Sequence, residues 1–480
     1  MIKLLDSESI ADILRPLKAA NQVFDTDHPG PRLDRQPVHT IYGGAQLFSS
    51  DSAGKMGRVA LRYMDAYAAD YIEFAHAFEL AGHETLPTDS QAKTELLDST
   101  PDRNKNRAAW LASSVYDRVV SKLREEPVED FRIDFEDGFG IRPKEEESRT
   151  AIKVAKEVAD GIRNNTLPPF LGIRIKALDE INGERSLDTL NEFMSELLTQ
   201  SQGILPDHFV VTLPKVTVPE QVEALCHALE KIEESAGLER GIIGLELMIE
   251  TPSSIFGRTG STALRGLVEA ARGRCTGIHF GVYDYTASLE ITAEHQRMQH
   301  PSCDFARHVM QVSMAGTGIW LSDGATNILP VPVHRVKPGG APLTDEQEAE
   351  NQDSVHRAWR IGFDDNMHSL KQGFYQGWDL HPGQLPTRYA AIYSFFLDAF
   401  DVAAVRLRTF VEKAAQATLV GDVFDDAATG QGLLNFFLRG INCGAIGKDE
   451  VAATGLSIEE ISSRSFGHIL EQRANGGSSN

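Results

Sequence analysis

Short β-rich segments recur along the chain, and helix-patterned segments separate them. We predict strands within eight segments: 38–48, 131–137, 170–177, 208–215, 244–250, 277–284, 318–324 and 377–382. A strand followed repeatedly by a helix favours a parallel sheet with helical crossovers, and eight such units fit a closed (β/α)8 barrel. A doubly wound open sheet is the competing architecture.

The alternation of apolar and charged residues within these segments favours the barrel. In segment 131–136 the phenylalanine and isoleucine side chains fall on one face, and Arg132, Asp134 and Glu136 fall on the other. Strands of a doubly wound sheet are apolar on both faces, whereas barrel strands can carry charges inward near the C-terminal mouth. An antiparallel edge strand with one solvated face gives the same alternation and stays open as an alternative.

We therefore predict an α/β fold, a (β/α)8 TIM barrel with N-terminal and C-terminal helical extensions. The barrel with its N-terminal extension and insertions is assigned to residues 1–400, and a helical extension to 401–480. Residues 49–129 and 337–370 exceed the connections of a minimal barrel. The polar residues at 475–480 are predicted to be disordered.

The charge of the chain limits its partners. The 480 residues include 47 Lys and Arg against 69 Asp and Glu, a formal net charge of -22. An acidic protein repels nucleic acid and anionic lipid, so we expect neither nucleic acid nor a membrane as partner. Asp6 and Glu8 lie where a signal peptide needs an apolar core, and we expect a cytoplasmic protein. The four cysteines are far apart in sequence, so buried thiols are expected.

Two carboxylates close consecutive predicted strands. Glu250 ends the fifth segment and Asp284 ends the sixth, so both are expected at the same barrel mouth. Two oxygen ligands without an adjacent His or Cys suit Mg²⁺ or Mn²⁺, with water and substrate oxygens completing the coordination. Taken singly, Glu250 is more typical of a residue that begins a helix, and Asp284 of a turn, but the pair on adjacent strands favours the metal site.

Arg174 lies on the inward face of the third predicted strand. Its planar guanidinium can hold a carbonyl or enolate oxygen between its donors. The alternative is a buried ion pair with Asp134, Glu136 or Asp137. The two interpretations are compatible, because pairing would fix the arginine and leave one edge for substrate.

Six motifs occur in the order found in a known group of enzymes: DFEDGFG, GIRIKAL, VTLPKV, LMIETPSSI, HFGVYDYTASL and GWDLHPGQLP. From Val38 to Phe400 the chain resembles the HpcH/HpaI aldolase and citrate lyase β-subunit superfamily, which includes malyl-CoA lyases and is related to malate synthases. The aldolase branch carries a catalytic histidine after the second strand, and this chain has none there. The resemblance is therefore closer to the citrate-lyase and malyl-CoA-lyase branch.

The resemblance implies a (β/α)8 barrel that uses Mg²⁺ to make or break a carbon–carbon bond beside a 2-oxoacid or acyl thioester. The family's metal carboxylates match Glu250 and Asp284, and its enolate-binding arginine matches Arg174. Its second acidic pair matches Glu136 and Asp137.

The motif HPGQ resembles the family's His-Pro-x-Gln after the last strand and implies His381 as a substrate contact near the rim. The long connection before the second strand and the insertion after residue 337 are absent from short citrate lyase subunits, which leaves the use of CoA open.

We predict a Mg²⁺-dependent carbon–carbon lyase or aldolase that acts on a small 2-oxoacid or an acyl-CoA thioester through an enolate. Glu250 and Asp284 would hold the metal, and Arg174 would stabilise the enolate oxygen. The general base stays open between Asp137, a C-terminal acid from a neighbouring subunit as in related lyases, and a metal-bound water.

Two alternatives stay open. One is phosphoenolpyruvate-type phosphoryl transfer on the same barrel, for which Lys176 and Lys215 are available. The other is a catalytically idle barrel that serves as a binding or assembly subunit, although such a subunit has no need of an intact site. The aromatic segment YSFFLDAF, residues 393–400, predicts a homo-oligomer, with packing against its own barrel as the alternative.

Overall fold

Eight parallel strands form a closed barrel in the computed structural model, which describes residues 5–30, 32, 34–336, 339–413, 418–420, 423–425, 427–463, 467, 469 and 473. The strands follow sequence order around the barrel, and β8 pairs with β1 to close it. They are β1 His39–Gly44, β2 Asp130–Asp134, β3 Phe170–Arg174, β4 Val210–Leu213, β5 Gly244–Ile249, β6 Cys275–Phe280, β7 Trp320–Ala325 and β8 Gln376–Asp379. The predicted barrel is confirmed, and the open sheet is excluded.

Helices surround the barrel and occupy the long connections. They are α1 Ser7–Asp27, α2 Ser52–Tyr67, α3 Tyr71–Phe78, α4 Ser90–Leu97, α5 Arg107–Glu125, α6 Lys144–Asn164, α7 Gly183–Gln200, α8 Pro219–Ala236, α9 Pro252–Ile255, α10 Leu264–Ala270, α11 Val282–Ser288, α12 Pro301–Met314, α13 Asp345–Lys371, α14 Leu385–Glu412, α15 Ala427–Asn442 and α16 Ile458–Ser462. The connection from β1 to β2 holds α2 to α5, and the insertion before β8 holds α13.

The crossover helices form because their apolar residues recur at helical spacing. In α6, Ala151, Val154, Ala155 and Val158 are buried at intervals of three and four residues, so one stripe faces the barrel. Glutamates in the first turn complement the positive end of the helix dipole. The helix ends at Asn165, which adopts the left-handed conformation typical of a C-terminal cap.

The strands direct their charged residues into the barrel. Arg132 and Asp134 of β2 are 2% and 1% exposed. Because β2 pairs with β1 on one side and with β3 on the other, it is an interior strand, and the edge-strand alternative is excluded. The register places Asp134 beside Arg174 at the C-terminal ends of β2 and β3.

A buried ion network fills the middle of the barrel below the mouth. The Nε and Nη2 atoms of Arg132 donate to the two carboxylate oxygens of Glu246 at 2.9 and 2.7 Å, and Nη1 donates to Asp130. Thr212 adds a hydrogen bond to Glu246 at 3.0 Å. Each charge therefore has a partner, as burial in a medium of low dielectric constant requires.

The C-terminal extension packs on the barrel and is not wholly helical. The predicted boundary at residue 400 falls within α14. Thr418–Val420 and Val423–Asp425 form an antiparallel pair, β9 and β10, so the prediction that this region is helical throughout was wrong there. The local β-rich sequences, TLV and VFD, favour these strands. Residues 475–480, predicted to be disordered, lie outside the described residues.

The aromatic segment used to predict a homo-oligomer is largely buried within the chain itself. Tyr393, Phe396 and Phe400 of α14 are at most 3% exposed, and the rings of Phe396 and Phe436 lie 5.1 Å apart. The segment therefore packs against its own chain, and the predicted oligomer needs another surface. The four cysteines are buried and unpaired. None of the described helices is both long and apolar enough to span a bilayer.

Candidate active site

Arg174 occupies the last position of β3, inside the barrel mouth. Its Nε and Nη2 atoms donate to Asp134 Oδ1 and Oδ2 at 2.7 and 2.5 Å, and its guanidinium lies 4.8 Å from the centre of the Tyr42 ring. Burial disfavours the charged guanidinium and lowers its pKa. Attraction to the Asp134 carboxylate outweighs the effect of burial, so the pKa of Arg174 lies well above its usual value. The third nitrogen, Nη1, is turned toward Met248 Sδ at 3.4 Å and Glu136 Oε2 at 3.4 Å.

Asp134 holds the arginine because its own carboxylate is fixed by the backbone. The N–H groups of Glu136 and Gly138 donate to its two oxygens at 2.9 and 2.6 Å. A Cβ at position 138 would lie 2.6 Å from Asp134 Oδ2, so glycine allows this close approach. The sequence had suggested Asp134 as one of three ion-pair partners, and the structure shows it as the bidentate one.

Lys215 lies at the centre of the acidic residues of the mouth. Its ammonium is 2.6 Å from Glu136 Oε1, 3.3 Å from Asp137 Oδ2 and 3.4 Å from Asp284 Oδ2. Its backbone N–H donates to Glu250 Oε1 at 2.6 Å. Sequence reasoning had considered Lys215 only as a phosphate-binding residue. The signal that could have placed it is its position two residues after the end of β4.

Glu250 follows β5 directly and is 1% exposed. A Cβ on the facing Gly281 would lie 2.4 Å from Glu250 Oε2, so the glycine makes room for the carboxylate. Burial, with a contribution from the negative charge of Asp284, raises the pKa of Glu250 to about 8. Such a carboxyl is poised to ionise when a cation arrives.

Asp284 lies farther from its strand than the sequence suggested. β6 ends at Phe280, and Asp284 belongs to the first turn of α11, where the helix dipole favours a carboxylate. Its side chain is 41% exposed, in contrast to the buried Glu250. The predicted position at the end of a strand was wrong, but Asp284 still reaches the mouth, where it contacts Lys215.

Glu136 and Asp137 form an acidic pair with opposite protonation tendencies. Burial raises the pKa of Glu136. Burial also acts on Asp137, but its interaction with Glu136 and the charges of Arg174 and Lys215 outweigh burial and lower its pKa. Two neighbouring carboxyls with pKa values moved apart can divide the roles of proton donor and proton acceptor.

An aromatic floor closes the mouth from below, and sequence reasoning missed it. Tyr42 bonds through its hydroxyl to His279 Nδ1 at 3.1 Å, and its ring lies 4.6 Å from that of Trp378. The Trp378 Nε1–H is buried without a hydrogen-bond partner. The three residues lie at the alternate positions of β1, β6 and β8 whose side chains point into the barrel. This alternation is the sequence signal that could have identified them.

His381 and Lys176 are not brought into this cluster. His381 Nδ1 accepts a hydrogen bond from the Gly383 N–H at 3.0 Å, and its ring lies 5.8 Å from Tyr63 on the rim beside β8. Lys176 donates to the Phe135 carbonyl and lies 3.5 Å from Glu147 of α6. Of the residues proposed from sequence, the mouth gathers Arg174, Glu136, Asp137, Glu250 and Asp284.

The donor set fits a divalent cation that takes only part of its coordination from the protein. The Lys215 ammonium contacts Glu136, Asp137 and Asp284, and its backbone N–H donates to Glu250, so four carboxyl groups share one lysine. Within the described residues, no three His, Cys, Asp or Glu side chains form a complete metal-binding group. Two carboxylates with open positions suit Mg²⁺, which usually retains waters and binds substrate oxygens.

Residues 17–469 match a protein family described as "Domain of unknown function (DUF6986)". The chain belongs to this family. The match begins within α1 and ends beyond α16, so it includes the barrel and most of both extensions. A search among curated proteins finds no match.

Similarity to solved structures is found at low sequence identity. A citrate lyase from Burkholderia xenovorans LB400 aligns with a TM-score of 0.51 and 16% identity, covering 71% of this chain and 92% of that chain. A malate synthase from Haloferax volcanii, in a lead(II) complex, aligns with a TM-score of 0.38 and 13% identity, covering 76% and 94%. The first likeness shows the fold alone, and the superfamily branch stays a prediction.

Proposed function

We propose that the protein is a Mg²⁺-dependent carbon–carbon lyase or aldolase that acts on a small 2-oxoacid or an acyl-CoA thioester through an enolate. The observation that carries the proposal is the Arg174 guanidinium, locked by Asp134 beside the carboxylates of Glu250 and Asp284 at the barrel mouth. The structural neighbour described as a citrate lyase has the same fold, and the motif resemblance points to the same chemistry.

Glu250 and Asp284 would hold Mg²⁺ or Mn²⁺. When bound, such an ion supplies Lewis-acid polarisation of the carbonyl and carboxylate oxygens of a substrate. Glu250 contributes a buried carboxyl, and Asp284 contributes a more exposed one on the solvent side. A substrate would approach these two carboxyls from the side of the more exposed Asp284.

Arg174 would stabilise the negative oxygen that develops in the enolate. Two of its nitrogens are committed to Asp134, which leaves Nη1 as the donor that can turn to substrate. Because the guanidinium is already fixed, little reorganisation is needed when charge develops, and this is the main source of electrostatic catalysis. Removal of one such donor typically reduces kcat by about a hundredfold or more.

The Glu136 and Asp137 pair would handle the proton. Asp137 has a lowered pKa and a side chain that is 60% exposed, so it is an ionised base accessible from the mouth. Glu136 has a raised pKa and a side chain that is 10% exposed, which suits a carboxyl that keeps its proton longer. We therefore favour Asp137 among the three bases considered from sequence.

Phosphoryl transfer is supported less well. A phosphate group needs uncommitted cations, but Lys215 is engaged by three carboxylates and Lys176 is turned toward Glu147. The excess negative charge at the mouth also repels a phosphate when no metal is bound. An idle binding subunit would have no reason to keep Arg174 fixed beside two metal-type carboxylates.

A substrate panel tests the proposal. The protein is incubated with Mg²⁺ and a set of 2-oxoacids, each alone and with acetyl-CoA, and with malyl-type thioesters, and consumption is followed by NMR. We expect turnover of at least one compound, loss of turnover with chelator, and an unchanged circular dichroism spectrum. Absence of turnover throughout the panel, or full activity in chelator, would contradict it. Phosphate release from phosphoenolpyruvate in the same panel would favour the alternative.

A further inference from the structure

Lys215 contacts both predicted metal ligands with two different parts of one residue. The backbone N–H donates to Glu250, and the ammonium lies beside Asp284, Glu136 and Asp137. Its φ of 50° places it in the left-handed region that residues with side chains rarely adopt. Such strain persists where the surroundings impose it, and it is frequent at functional sites.

We propose that the Lys215 ammonium is a built-in counter-cation that holds the acidic mouth together without metal and is displaced when a divalent cation binds. The inference rests on the proposed function, because it takes Glu250 and Asp284 as the metal ligands. It adds a role for a residue that the sequence had connected only with phosphate. Metal binding would then be an exchange, in which the singly charged ammonium of Lys215 leaves the site and a doubly charged cation enters it.

The charges of the mouth explain why a resident cation is needed. Glu136, Asp137, Glu250 and Asp284 converge around this one point, and Arg174 is already paired with Asp134. Without Lys215, the ionised carboxylates of this group would repel one another in a partly buried site. With Lys215 in place, the carboxylates stay close together before any metal arrives.

The geometry also allows the ammonium to leave. The Lys215 side chain is 32% exposed, and its flexible four-carbon stem gives the ammonium a path to solvent. The hydrogen bond from its backbone to Glu250 does not depend on the side chain, so Glu250 stays positioned during the exchange. A displaced ammonium would remain near the rim, where it could meet an anionic substrate.

Calorimetric titration with Mg²⁺ tests the exchange. Lys215→Met keeps the backbone N–H and most of the side-chain volume but removes the charge. We expect it to bind Mg²⁺ at least about tenfold more tightly than the unaltered protein, because no cation has to be displaced. Its metal-free melting temperature should be lower than that of the unaltered protein, and Mg²⁺ should restore it. Equal or weaker Mg²⁺ binding by Lys215→Met would overturn the proposal.

Two further variants complete the experiment. Lys176→Met is the matched control, since Lys176 lies outside the cluster, and its Mg²⁺ affinity should not change. Lys215→Arg keeps the positive charge and keeps the test valid if Lys215→Met does not fold. Its Mg²⁺ affinity should not rise, and a rise of about tenfold would overturn the proposal.

The failure of this inference is distinguishable from failure of the proposed function. If the unaltered protein binds Mg²⁺ and Lys215→Met binds it no better, only the role of Lys215 is wrong. If no variant binds Mg²⁺, both the metal site and the exchange are wrong. If Lys215→Met alone binds Mg²⁺, the displacement of Lys215 is the main barrier to metal binding, as the proposal requires.

Discussion

Asp134 sets the geometry of the mouth at the scale of single residues. It receives two hydrogen bonds from the backbone and two from Arg174, so all four of its contacts are directional. Charge-assisted bidentate pairs of this kind are among the strongest in proteins. The turn that follows β2 therefore fixes the orientation of Arg174 as much as β3 does.

Arg174→Lys should abolish most turnover while leaving the barrel folded. A lysine keeps the charge but loses the planar fork that bonds Asp134 with two nitrogens and presents a third to substrate. We expect a loss of about 3 kcal/mol of transition-state stabilisation, a rate reduction of a hundredfold or more. The measurement is kcat/KM on a substrate from the panel, with Arg240→Lys on the exposed surface as control. Unchanged kcat/KM would show that Arg174 only serves as an ion-pair partner.

Gly281→Ala should displace Glu250 and weaken metal binding. The new Cβ would lie 2.4 Å from both Cβ and Oε2 of Glu250, so the buried carboxylate must move. We expect the Mg²⁺ affinity to fall by about tenfold or more in calorimetry. Gly266→Ala in α10 is the control, because its Cβ would meet no atom within 4 Å. Equal affinity in the two variants would contradict the packing argument.

At this scale the sequence predicts residue types and faces but not partners. The alternation of side chains along β3 and β5 correctly predicted that Arg174 and Glu250 point into the barrel. It could not show that Asp134 would take the bidentate contact, since this depends on the turn formed by Glu136 to Gly138. The sequence did not show Lys215 as the central cation. Its left-handed backbone conformation is not visible in the residue pattern, and its four partners lie in other segments of the chain.

Among the secondary-structure elements, β1, β2 and α5 are connected through one buried residue, Glu129. Glu129 accepts a hydrogen bond from the Val38 N–H at 2.8 Å and lies beside Arg35 and Lys122. Its own N–H donates to His39 Nε2 at 3.1 Å. One buried carboxylate therefore ties the start of two adjacent strands to the helix that precedes β2.

Glu129→Gln should destabilise the fold by about 2 kcal/mol near neutral pH, since it removes a buried charge and leaves Arg35 and Lys122 with Glu126 as their remaining partner. Burial opposes ionisation, but the charges of Lys122 and Arg35 lower the pKa of Glu129 in the folded protein. Its contribution is thus present above the usual glutamate pKa of about 4.3 and lost as the pH falls through the lowered value.

Urea unfolding at several pH values measures this effect. The difference between wild type and Glu129→Gln should be largest near neutral pH and shrink in acid. Glu239→Gln on the surface is the matched control and should show no such difference. A destabilisation that grows as the pH falls would contradict the linkage argument.

The elements themselves were largely predictable because strand patterns and helix patterns have different periods. All eight predicted segments overlap a barrel strand, although β2, β6 and β8 begin one or two residues before their segments. The exceptions are local: β6 ends at Phe280 and gives way to α11 before Asp284, and β9 pairs with β10 within the helical extension. Both depend on short-range turns, where three or four residues carry too little periodicity to show the change.

The whole molecule is predicted to form a homo-oligomer, and α1 is the surface we expect to be covered by a second copy. This helix buries none of its residues, and Ile10, Ile13, Leu14, Leu17 and Phe24 are 37–60% exposed. Their spacing of three and four residues makes one apolar stripe, which water solvates poorly. Light scattering at micromolar concentration should give a multiple of 52.8 kDa.

The double substitution Ile13→Ser and Leu17→Ser should lower that mass toward a single chain. The matched control is Val402→Ser, at an exposed apolar position of α14 outside the stripe. A wild-type protein that is monomeric at micromolar concentration would contradict the prediction.

For the whole molecule as a metal-dependent enzyme, Mg²⁺ calorimetry on Glu250→Gln and Asp284→Asn is the decisive measurement. Each amide keeps the shape of the side chain but cannot ionise to hold the cation, so neither change should unfold the barrel. We expect Mg²⁺ binding to the unaltered protein and a loss of about tenfold or more in affinity in each variant. Equal Mg²⁺ affinity in all three proteins would show that these carboxylates are not the ligands and would contradict the mechanism built on them.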